Sequence, residues 1–266
     1  MDTRNNIKLI SRSIVTGLSL IIAGCGAGSS TGVSQSSPPP EPAPVDGKGG
    51  SMARFTMVGD YLYTVSGKNI QLFNIGVDPA KPAVFAKVTL DWGIETLFSH
   101  NNHLYIGAND GVHILDNTNP ESPYQVSKLL HVSSCDPVVV SGQYAYVTLH
   151  SGGSQCGAGV DQLDVIDIAD PSNPQLVKTL PMQNPKGLGI STTEALLFVC
   201  DGPAGLKIFN LDNPGTPVYT TSHTDIDCYD VIVDQSNLVI SDSASILQYQ
   251  FTKLNMTPMS QIEIAQ

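Results

Sequence analysis

An all-β fold, a β-propeller of five four-stranded blades, is what three features of this sequence predict. A turn motif recurs every forty-odd residues. Strand-like alternation of apolar and polar residues surrounds each copy. No stretch of the repeating region shows a convincing helical period.

The turn motif appears as "IQLFNIGVDPAKP" at 70–82, "VHILDNTNPESP" at 112–123, "LDVIDIADPSNP" at 163–174 and "LKIFNLDNPGTP" at 206–217. A degenerate fifth copy, "LNMTP", ends at Pro258. The final prolines, Pro82, Pro123, Pro174, Pro217 and Pro258, are 41, 51, 43 and 41 residues apart. The long gap holds "HSGGSQCGAGVDQ" (150–162), which reads as an inserted loop.

Blade three parses most clearly. "DPVVVSG" (136–142), "QYAYVTL" (143–149), "QLDVIDI" (162–168) and "QLVKTL" (175–180) are four strands bounded by Gly, Asn, Asp and Pro. The other copies keep that order, with second strands "YLYTVS", "HLYIGA", "ALLFVC" and "NLVISD" and fourth strands "VFAKVTL", "YQVSKLL", "VYTTSH" and "QIEIA". A four-stranded sheet has two faces to cover, and stacking sheets around an axis covers them while limiting exposed edges. Proline fixes φ and cannot donate to a ladder, so the motif stops the third strand. The preceding Asp or Asn can bond the local backbone and stabilise the turn. A pair of β-sandwiches is the alternative for a strand-rich chain of this length.

The run "YAYV…LDVIDIADPSNPQLVKTL" resembles the LVIVD repeat, found in predicted propellers of bacterial and archaeal surface proteins. The resemblance spans about residues 53–265. It is strongest in blades three and four and weakest in blade five, which lacks the acidic-Pro turn. It implies a propeller at the cell surface and no particular activity.

The N-terminus differs in kind. Arg4, Lys8 and Arg12 form a positive region, and residues 13–24 are mostly apolar or small. This is the layout of a secretory signal, too short to span a bilayer. Ile22-Ala23-Gly24-Cys25 resembles the lipobox of bacterial lipoproteins, which implies a lipid on Cys25. Residues 26–51 are almost all Gly, Ser, Pro, Ala and Thr, and cannot bury enough apolar surface to offset their ordering entropy. The expected organisation is a signal peptide (1–24), a lipidated Cys with a disordered tether (25–51) and a propeller (52–266). The expected location is extracytoplasmic, at an outer membrane or cell surface, with the lipid as membrane partner.

The formal net charge is −11, and only 14% of residues are charged. Removing residues 1–24 takes away three positive charges and one negative, leaving about −13. Such a chain repels nucleic acid, so that partner class is set aside.

Cys135, Cys156, Cys200 and Cys228 remain, an even number in an exported domain, and disulfides follow. Cys135 and Cys228 precede the first strands of blades three and five, Cys200 ends the second strand of blade four, and Cys156 lies in the insert. Pairing 135–156 and 200–228 fits these positions. There is no C-x-x-C pair and no zinc spacing, so no metal is expected.

Catalytic signatures are missing: no G-x-S-x-G, no H-E-x-x-H and no phosphate-binding Gly loop. "HNNH" (100–103) reads as a solvated hairpin turn. Asp161, Asp164, Asp167 and Asp170 recur at every third residue, which on a strand sends them to alternating faces, and they read as surface charge. No cofactor is expected.

The loops entering each first strand share one end of the ring with the second-to-third-strand loops. Trp92, Glu95, Asp136, His150, Asp227, Tyr229 and Asp230 fall there and are the candidate ligand-binding residues, with Asp91, Asp225 and Cys156 nearby. Propellers place function on such loops. The expected role is non-enzymatic recognition of a protein or carbohydrate partner. A hydrolase or lyase acting on carbohydrate through Glu95, Asp136 and Asp230, and a purely structural envelope protein, are the alternatives.

Overall fold

The computed structural model describes residues 50–90, 93–130, 137–151 and 159–264. Twenty strands form five antiparallel sheets of four, each built from consecutive strands. Blade one is β1 (Phe55–Val58), β2 (Tyr61–Ser66), β3 (Asn69–Asn74) and β4 (Ala83–Thr89). Blade two is β5 (Ile94–His100), β6 (His103–Ala108), β7 (Gly111–Asp116) and β8 (Tyr124–Leu130). Blade three is β9 (Val138–Ser141), β10 (Tyr144–Leu149), β11 (Gln162–Asp167) and β12 (Gln175–Pro181). Blade four is β13 (Leu188–Ser191), β14 (Leu196–Cys200), β15 (Leu206–Asn210) and β16 (Val218–His223). Blade five is β17 (Asp230–Asp234), β18 (Asn237–Ser241), β19 (Ser245–Thr252) and β20 (Asn255–Glu263). The fold is the five-bladed propeller that the repeat predicts. One 3-10 turn, Gly202–Ala204, is the helical element among the described residues.

The first strand of each blade is innermost: β1 packs on β5, β5 on β9, β9 on β13 and β13 on β17. Apolar cores fill the sectors between blades. Leu72 and Leu104 are buried between blades one and two, Ile114 and Val147 between two and three, Val165 and Leu197 between three and four, and Phe198 and Phe251 between four and five. The last pair meets edge to face with centroids 5.1 Å apart.

The recurring turn does two jobs. Its leading Asp or Asn caps the bend: Asn74, Asp116, Asp167 and Asn210 accept backbone N–H bonds from Gly76, Thr118, Ala169 and Asp212. Pro82, Pro123, Pro174 and Pro217 each stand one residue before the outer strand, so the four corners are equivalent. The turn is also a docking point for the preceding blade. The Tyr63 hydroxyl donates to Asn117 Oδ1 at 2.9 Å, and the Tyr146 hydroxyl to the Pro214 carbonyl at 3.0 Å. Burial raises both phenols above the ordinary tyrosine value, Tyr63 to about 12.

Blade five departs from the expected parse. Its third strand turns at Lys253–Leu254, and β20 begins at Asn255, so Pro258 lies inside the outer strand rather than in the turn. An outer edge strand has one unpaired side, and Pro258 faces Tyr249 at the register shift, where a missing N–H is tolerated.

Two further readings are corrected. Asp164 is not surface charge: it is buried, accepting from Gln162 Nε2 and Thr179 Oγ1 at 2.9 and 2.7 Å. Its position in a middle strand outweighs its polarity, and the two donors replace water. Gly50 and Ser51, assigned to the tether, are buried against the blades.

Candidate functional site

The loops leading into first strands and those joining second to third strands lie at one end of the propeller, as the antiparallel order requires. At that end four of the five blades carry an aspartate at the second-to-third-strand corner. Asp110 lies between His113 Nε2 at 2.9 Å and the Lys128 ammonium, and His113 Nδ1 meets Gln125 at 3.1 Å. Burial would raise the Asp110 carboxyl, but His113 and Lys128 outweigh it and hold the group below the usual range. Asp161 accepts from the Ser151 N–H and hydroxyl. Asp201, fully buried, accepts from Gln183 N and Asn184 N at 2.9 and 2.8 Å and pairs with Lys207 at 2.5 Å. Asp242 accepts from Ala244 N and from Ser245. These carboxylates hold loops in place. The sequence signal for them is an Asp where strand two ends, as in "AND", "VCD" and "ISD".

Of the predicted site residues, Trp92 and Asp136 lie outside the described residues, as do Asp91, Cys25, Cys135 and Cys156. Glu95 is the extra residue of a register shift in β5, half-buried. The Asn109 amide, turned nitrogen-inward, reaches its Oε1 at 3.1 Å. His150 follows β10, with Nδ1 3.4 Å from Asp161. Glu95 and His150 therefore hold separate partners in blades two and three.

Asp227, Tyr229 and Asp230 form one cluster at the junction of blades four and five. Cys200 and Cys228 are joined by the expected disulfide, which ties the end of β14 to the segment leading into β17. Next to it Tyr229 is 41% exposed, and the Lys186 ammonium lies 3.4 Å from its ring centroid. Lys186 is fixed in turn: its N–H donates to the Cys200 carbonyl, and its own carbonyl accepts from Thr148 Oγ1 at 2.5 Å. Asp227 is exposed.

Asp230 turns inward. Its Oδ1 accepts from Ser51 Oγ at 3.1 Å and Val231 N at 3.0 Å. Ser51 Oγ accepts from Leu188 N at 2.7 Å, so one residue ahead of blade one bridges blades four and five. Gly50 and Gly187 make room for the carboxyl: a Cβ at either would lie 2.3 or 2.0 Å from a carboxyl oxygen. Burial pushes the Asp230 carboxyl up to about 6, against the opposing pull of the Ser51 and backbone donors. Sequence reasoning missed Ser51 because its neighbours, glycines and serines, match the tether in composition.

The sequence profile of the LVIVD repeat matches residues 134–180, the stretch that holds β9 to β12. Blade three is similar to the LVIVD repeat. The other blades copy its strand order, and blades one, two and four also its corner. Comparison with curated proteins finds no match. Solved structures share the fold at low identity. A Lactobacillus plantarum protein superposes with a TM-score of 0.63 and 12% identity over 77% of this chain and 73% of that one. A candidate 6-phosphogluconolactonase from Bacteroides fragilis gives 0.62 and 14% over 79% and 69%, and the periplasmic gluconolactonase of Pseudomonas aeruginosa 0.61 and 13% over 77% and 68%.

Among the described residues no group of three or more His, Cys, Asp or Glu side chains is placed to hold a metal ion.

Proposed function

We propose that this LVIVD-repeat propeller is a lipid-anchored, extracytoplasmic recognition module that binds a protein or carbohydrate partner at its loop end. The supporting observation is the Tyr229 platform. A part-exposed ring on a disulfide-braced loop, with the Lys186 ammonium over one face and an exposed Asp227 two residues before it, offers an aromatic contact with polar groups of both signs. The Cys200–Cys228 bond suits an oxidising compartment outside the cytoplasm, and the signal-like N-terminus suits the same address. Asp230 takes no part in recognition in this reading, because its carboxyl holds Ser51.

The test is binding of the purified protein to a glycan array and to envelope proteins, beside Tyr229→Ala and Asp227→Asn. The reading requires at least a tenfold loss in one variant. Unchanged binding by both variants overturns the site.

A second reading is an enzyme acting on a sugar lactone. The lactonase names carried by two of the solved neighbours favour it, at identities that establish the fold alone. Hydrolysis of a gluconolactone above the spontaneous rate would replace the recognition reading.

A further inference from the structure

The middle strands of blades two to four are buried on both faces. β6, β10 and β14 each run as continuous buried stretches. Blade one is different. Tyr63, Val65, Ile70 and Leu72 are buried against blade two, while the residues between them are not. On that second face Met57 lies opposite Leu62, Leu62 opposite Phe73, and Phe73 opposite Val84. Met57 is 50% exposed and Val84 63%, with Phe55 beside them at 57%. This is an apolar row across the blade. In blade three the matching inner positions, Val140, Ala145 and Ile166, are buried against the neighbouring sheet, while the outer-strand position, Leu176, is exposed as Val84 is.

Blade five mirrors it. Val231, Leu238, Ile240 and Phe251 pack on blade four. The opposite face carries Ile232, Val239 and the pair Ile246–Ile262, the last two 37% and 63% exposed. Among the described residues no apolar core joins blades five and one, and β17 makes no packing with β1 comparable to the other inner-strand pairs. The contacts that span that sector include the Ser51–Asp230 hydrogen bond, a backbone donor from Met52 to Asp230, and Gly50 against Ile232.

We propose that these two uncovered faces join in trans: blade one of one copy packs on blade five of a second copy, head to tail. Every internal junction of the propeller sets the following face of one blade on the preceding face of the next, and the two open faces are of those opposite kinds. Charge selects the same pairing. Residues 50–90 carry Arg54, Lys68, Lys81 and Lys87 against Asp60 and Asp78, a net of +2. Residues 224–264 carry five aspartates and Glu263 against Lys253, a net of −5. Pairing two fifth blades would set like charges together, and pairing two first blades would do so more weakly. A face of four strands, about 20 Å on each side, would bury on the order of 1,000 Å² in total, the lower end for a specific interface. The two faces are of different kinds, so the contact is heterologous.

Sedimentation of the full chain with Cys25→Ser, used to keep it in solution, tests this. Concentration-dependent association should appear below about 200 μM, weakened several-fold at high salt. Met57→Asp spoils one face and Ile262→Lys the other. Both positions are exposed, so each variant should keep the wild-type circular dichroism and melting temperature while remaining monomeric alone. Mixed one to one, they should form a dimer through the two intact faces. A wild type that stays monomeric throughout, or an Ile262→Lys variant that self-associates like the wild type, overturns the proposal.

Discussion

Blades one and three share strand order, turn chemistry and corner proline, yet they solve different packing problems. In blade three, neighbours on both sides bury Ala145, Tyr146 and Val147 in succession. In blade one, Tyr63 and Val65 are buried while the intervening Thr64 is not. The same sheet is thus buried without interruption when flanked and buried at alternate residues when one side is open. Stability should therefore be concentrated in the flanked blades.

The largest expected effect sharpens that contrast. Phe198→Ala empties a fully buried position against Phe251 and should cost about 3–5 kcal/mol in urea unfolding. Phe55→Ala, at an exposed face of blade one, should cost under about 1 kcal/mol. Equal costs would erase the distinction between flanked and open faces. Next in size, Cys200→Ser with Cys228→Ser should lose about 2–4 kcal/mol, and reductant should shift the wild type without shifting this double variant.

A smaller effect concerns the Asp230 bridge across the open sector. The folded-state carboxyl of Asp230 is raised to about 6, above its unfolded value. Its contribution is fully present below about pH 4 and is lost as pH rises to about 6, because ionising the carboxyl in the fold is costlier than in the unfolded chain. The expected loss is on the order of 1–2 kcal/mol. Asp230→Asn should remove that part of the pH profile, measured by unfolding at pH 4, 5, 6 and 7. The smallest effect belongs to the corners. Pro174→Ala should cost about 0.5–1 kcal/mol by freeing the unfolded chain, and Pro258→Ala, inside an edge strand, should cost no more.

The repeat carried the fold because its punctuation is chemical. Asx caps and prolines leave a direct trace, and four of the five corners fall where the spacing places them. The fifth did not, because a proline in an edge strand looks in sequence like a proline in a turn. The disulfide between Cys200 and Cys228 was legible from the antiparallel order, which sets the end of the second strand of blade four and the entry to the first strand of blade five at the same end of the ring. Asp164 misled because a carboxylate in a middle strand looks exposed until its donors, Gln162 and Thr179, are seen. The inward turn of Asp230 depends on Ser51, 179 residues away, and no local pattern announces a partner so distant. Asp227 and Tyr229, by contrast, stand outward at the loop end.

The Ser51 bridge has a mechanical side. A pull on the chain upstream of Gly50 arrives first at a side chain bonded to Leu188 and Asp230, in the two blades farthest along the sequence. Tension is thereby spread into the braced half of the disk before it reaches the hydrogen-bond ladder of β1. That arrangement delays peeling of the first blade, and a Ser51→Ala chain should yield at lower force when stretched from its N-terminal side.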